Sequence, residues 1–98
     1  MAKARSGAIT VTTAGTAVQG PSYPKAGNDK LVAFYIKADA DNTDTVYVGN
    51  DGSGDVSATN GFPLNSGESI VIEANSLDDL WFDADVNGEK IRWIQVSS

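Results

Sequence analysis

The chain has 98 residues, 41% of them hydrophobic and 20% charged, with a formal net charge of −6 and neither histidine nor cysteine. That describes one small domain, too apolar for intrinsic disorder, able to bury about two-thirds of its unfolded surface. The missing residue types remove disulfide frameworks, thiol nucleophiles and the commonest acid–base side chain together.

No window approaches the run of about 20 apolar residues that a membrane span requires. Met1–Gly7 carries charge but no signal-like apolar stretch follows it. The expectation is a soluble chain with no membrane partner, folded in the cytosol, since a small secreted domain would often carry disulfides. The charge is lopsided: residues 1–38 hold Lys3, Arg5, Lys25, Lys30 and Lys37 against Asp29, while residues 39–98 hold Lys90 and Arg92 against twelve acids. Two readings stand, an acidic surface that maintains solubility and a basic N-terminal arm that docks on an acidic partner. No basic stripe interleaves with aromatics, so nucleic acid is not expected as a partner.

In chain order, residues 1–7 read as a flexible arm hinged at Gly7, followed by a single β domain over residues 8–98. Ala8–Thr13 alternates apolar and hydroxyl residues, the period of a half-buried strand. Thr16–Gln19 is a short second strand, broken by Pro21 and Pro24, which cannot donate to a ladder. Leu31–Ile36 is the strongest strand and is apolar on both faces, Leu31, Ala33 and Tyr35 on one and Val32, Phe34 and Ile36 on the other. A sandwich strand should show one face to solvent, so a second cover is expected, either another segment of the chain or another subunit; on the subunit reading Val32, Phe34 and Ile36 are the candidate oligomer interface.

Asp39–Asp44 is turn chemistry, with side chains able to bond nearby backbone. Val46–Gly49 is a strand, residues 50–55 a polar tip, and Val56–Thr59 a short edge strand. Asn60-Gly61 suits a turn with positive φ, and Phe62-Pro63-Leu64 returns apolar groups to the core. Glu68–Glu73 is a strand, Ser76 caps one helical turn, Trp81–Asp83 is a strand, and Asn87-Gly88 a hairpin turn. Lys90–Val96 closes the domain, with Ile91 and Trp93 on one face and Arg92, Ile94 and Val96 on the other. Nothing sustains a helical period. Seven to eight short strands with turn signals about every 8–12 residues predict an all-β, antiparallel sandwich, jelly-roll-like.

Candidate chemistry is thin. The acids sit mostly in loops rather than paired across a cleft, so no catalytic residue is assigned and no enzymatic activity is expected. Asp51-Gly52-Ser53-Gly54-Asp55 starts like a calcium loop, but Val56 and Phe62 stand where glycine and glutamate belong, so neither metal nor cofactor is assigned. Tyr47 and Trp81 could stack a sugar, which gives an alternative function, a tail- or fibre-associated module binding host-surface glycan. A bare assembly adaptor is a third reading.

The run Val46-Tyr47-Val48-Gly49, Asn60-Gly61-Phe62-Pro63-Leu64, Gly67-Glu68-Ser69, Leu77-Asp78-Asp79-Leu80 and Gly88-Glu89-Lys90-Ile91-Arg92-Trp93-Ile94, with Ile9–Thr12 and Thr16–Gln19 before it, resembles the small structural proteins of tailed bacteriophage virions. The similarity spans about residues 8–96. It implies a capsid decoration (cement) protein on the outside of the head shell, made in the host cytoplasm. It also implies a homotrimer with the major capsid protein as partner. Lys3 and Arg5 are the candidate capsid contacts.

Overall fold

A period of two governs burial along the strands. From Glu89 to Gln95 every odd-numbered residue is buried and every even-numbered one exposed, and Val32–Ala38 buries its even-numbered residues in the same way. Successive strand side chains point to opposite faces, so each segment presents one face to a core. The computed structural model describes residues 5–23, 30–50, 56–57 and 59–96. Within them lie β1 (Ser6–Val11), β2 (Val18–Gln19), β3 (Val32–Ala38), β4 (Val46–Gly49), β5 (Phe62–Leu64), β6 (Ser69–Ala74), β7 (Trp81–Ala84) and β8 (Glu89–Gln95), with a 3-10 turn at Leu77–Asp79.

The strands form two four-stranded antiparallel sheets, ordered β1-β8-β3-β6 and β2-β7-β4-β5. Pairing is nested: β1 with β8, β2 with β7, β3 with β6 and β4 with β5. Every connection except β4–β5 carries the chain from one sheet to the other. Antiparallel pairing holds as expected, but short connections are not its cause. Asn87-Gly88 is likewise not a hairpin turn; it links β7 in one sheet to β8 in the other, with Gly88 in the left-handed region at φ 85°.

One apolar cluster unites the sheets. Val11, Phe34, Ile36 and Ile91 from the first belong to it together with Val46 and Phe82 from the second, all 0% exposed. Burying each such side chain contributes about 1.5–3 kcal/mol. Trp93 closes one side, edge-on to Phe34 at 6.3 Å and tilted against Tyr23 at 5.6 Å between centroids. Its indole lies over Gly7, where an added Cβ would come within 2.9 Å of Nε1.

That contact revises the arm. Ser6 and Gly7 are not a hinge region but the first residues of β1, registered opposite Ile94 and Trp93. Other local expectations change too. The described residues of 56–59 form bends and turns rather than an edge strand. Gly61 has no positive φ; it is required because a Cβ there would sit 2.7 Å from the Tyr47 Cβ and 2.9 Å from the Ser57 carbonyl oxygen. Leu64 reaches the core at 2% exposed, but Phe62 stays outside at 55%. Ser76 makes no cap bond to the 3-10 turn; its hydroxyl donates instead to the Tyr23 carbonyl at 3.2 Å.

Candidate interaction face

The inward face of β3 is the one made of Val32, Phe34 and Ile36, at 3%, 0% and 0% exposed. These three therefore pack within their own chain, and the structure removes them as an oligomer interface. The physical reason is the second sheet, which supplies the cover that sequence reasoning sought in another subunit. The opposite face of β3 is the one left open.

Register builds that open face row by row. Tyr35 pairs with Val71 on one side and Ile94 on the other, so the three side chains form one row across β6, β3 and β8. They are 40%, 58% and 41% exposed, and Leu31 and Val96 extend the apolar surface at 59% and 52%. The next row toward the β3 C-terminus is cationic, with Lys37 registered against Arg92. On the far side of the apolar row stands Glu73, registered against Ala33. The Tyr35 hydroxyl accepts a hydrogen bond from the Ser69 hydroxyl at 2.8 Å, which orients the ring along the sheet.

Of the two cations, only Arg92 is paired: its Nε meets the Asp39 carboxylate at 3.0 Å. That bond and a hydrogen bond from the Asp41 backbone N–H hold Asp39 below the usual carboxylate range, the backbone bond contributing more. Lys37 and Glu73 make no ion pair among the described residues.

The outer face of the other sheet is covered at its centre, where Tyr47 and Asp83 are buried, while Gln19 and Pro63 at its edges stay exposed. Tyr47 points outward from β4 yet is only 8% exposed, because the segment through Ser57 and Gly61 lies across it. Its hydroxyl donates to the Asp85 carboxylate at 2.8 Å, and burial, with that carboxylate, raises its pKa above the ordinary tyrosine value. A covered ring cannot stack a sugar, so Tyr47 is withdrawn as a glycan residue; Trp81 is half-buried on the same face, registered opposite Gln19 and Gly49. Without Tyr47 the pair proposed for a glycan is broken.

At one end of the sandwich a cleft of about 470 Å³ lies between the Asp39–Thr43 turn and the Asn87–Lys90 segment. Two of its acids, Asp39 and Glu89, hold neighbouring segments together. Glu89, 4% exposed, accepts from the Thr43 hydroxyl at 2.7 Å and from its backbone N–H. Asn42 exchanges two 2.8 Å bonds with the Lys90 backbone. Among the described residues no three metal-ligating side chains converge, and the calcium-like run 51–55 lies outside them.

Lys3 also lies outside the described residues. Arg5 is exposed, its guanidinium 4.9 Å above the Tyr23 ring, and its carbonyl accepts from the Gln95 N–H at 2.8 Å. The arm cation nearest the sheet is thus seated on the Tyr23 ring, and its backbone is tied to β8. Sequence reasoning missed Tyr35, Val71 and Ile94 as a unit. The period-two signal was present in all three strands, but registering them requires the pairing. Comparison of the chain with family models, curated proteins and solved structures finds no match.

Proposed function

We propose that this chain is a non-enzymatic assembly protein that works through the open face of β1-β8-β3-β6. Its proposed setting is the virion of a tailed bacteriophage, where it decorates the outside of the head shell as an oligomer and contacts the major capsid protein. The observation that carries the binding role is the contiguous exposed row Val71–Tyr35–Ile94 on a small domain, because grouped apolar exposure of this kind marks interaction surfaces. The virion setting is supported by the resemblance carried by residues 8–96. The nested strand order, which we read as a jelly roll, fits an accessory shell protein without being specific to one.

Immunogold labelling of virions with antibody raised against the chain tests the setting. Label on the head surface is expected; label confined to tails, or none, contradicts it. Reversing charge with Lys3→Glu and Arg5→Glu is expected to lower occupancy on heads while leaving the fold intact. Unchanged occupancy removes the arm from the contact.

A further inference from the structure

The open face is self-complementary. Its centre is the apolar row Val71–Tyr35–Ile94, with Lys37 one row to one side and Glu73 one row to the other. Lys37 stands on β3 and Glu73 on the adjacent β6, and neither has an ion-pair partner among the described residues. Lys37 is registered beside Arg92, whose charge Asp39 already meets, so Lys37 is the cation of that row left to take an anion from a partner.

A two-fold rotation about the apolar row supplies that anion. It leaves each strand over its own copy and exchanges the two flanking rows. Lys37 of one copy then lies opposite the row that holds Glu73 of the other, offset by one strand spacing of about 4.8 Å. Both side chains are long enough to close such an offset, and the symmetry makes two equivalent ion pairs around one apolar seam, the signature of an isologous contact. We infer that the outer face of β1-β8-β3-β6 docks on the same face of a second copy of this chain, about a two-fold axis along the Val71–Tyr35–Ile94 row.

Area sets the strength. Four strands at about 4.8 Å spacing and six or seven residues at about 3.3 Å each cover about 400 Å², roughly half of the 800 Å² per partner in a standard interface. The pair is therefore a weak one, formed at high local concentration. This inference concerns the isolated chain and does not depend on the virion setting.

Sedimentation equilibrium over a wide concentration range tests it. The wild type is expected to pass reversibly from the 10.2 kDa chain to twice that mass. Lys37→Glu alone and Glu73→Lys alone should each weaken association about tenfold, and the double exchange should restore it. Ile94→Asp, on an interior strand, should abolish it, whereas pairing through the β6 edge would survive that change. Circular dichroism on each variant confirms that the fold is retained. A chain that stays monomeric throughout overturns the inference, as does a trimer. Association indifferent to Ile94→Asp, or not rescued by the double exchange, also overturns it. Loss of head occupancy by Ile94→Asp in a strictly monomeric chain would assign the face to the shell instead.

Discussion

Tyr35 and Tyr47 occupy matching places, each facing outward from the third strand of its sheet. Tyr35 is 40% exposed and Tyr47 8%. The strands do not make this difference; the connections do. On the Tyr47 side the Ala14–Gly15 turn is tied down by the Gly15 N–H donating to Asp83 at 2.9 Å, and the segment at Ser57–Gly61 folds over β4. No described connection lies over Tyr35, Val71 and Ile94. The edges differ in the same sense: β2 and β5 have two and three residues, the latter containing Pro63, whereas β1 and β6 have six each. One sheet is finished within the chain, and the other is left with surface and edges that an assembly can use.

Substitutions on the two faces should separate them by stability. Tyr47→Ala is expected to cost about 3 kcal/mol, because it removes a buried ring beneath a loop. Tyr35→Ala should stay within about 0.5 kcal/mol in the monomer, as exposed positions do. Urea titration at low protein concentration measures both, and equal costs would erase the contrast. Gly61→Ala should cost about 2 kcal/mol, since its methyl group meets backbone as well as the Tyr47 Cβ and the covering segment must shift.

Tyr47→Phe is a finer probe, expected to cost about 1 kcal/mol near neutral pH through the lost bond to Asp85. Folding raises the Tyr47 pKa, so its contribution is full below the unfolded value of about 10 and is lost as pH rises through the folded value. The gap between wild type and Tyr47→Phe should therefore narrow above pH 10, and a widening gap would reverse the assignment. Smallest is Arg92→Ala. Removing one of the two bonds that depress Asp39 should raise its pKa toward, but not to, the ordinary value, because the stronger Asp41 N–H bond remains. An NMR titration of the Asp39 carboxyl reads this directly.

Much of the fold was legible in sequence. Alternation placed β1, β3, β6 and β8 to within two residues, and it put Ile91 and Trp93 together on the buried side of β8. What it did not decide was which face of β3 turns inward, because Leu31, Ala33 and Tyr35 make an apolar set too, although a less apolar one than Val32, Phe34 and Ile36. The choice depends on the second sheet, through partners distant in sequence such as Val46 and Phe82. Tyr47 was misjudged for a related reason: the segment that buries it is mostly polar, and its one sign of folding back is a single apolar residue, Val56, buried at 3% exposed. Gly61 looked like a turn glycine, yet its constraint is steric contact with a strand more than ten residues earlier.

One outer face is covered at its centre by its own chain, and the other is open for docking. Amide NMR spectra recorded as the protein is concentrated test it most directly. Shifts are expected to grow with concentration at Tyr35, Lys37, Val71, Glu73 and Ile94, with Tyr47, Trp81 and Asp83 unmoved. Shifts centred on the Tyr47 face, or none at any concentration, would contradict it.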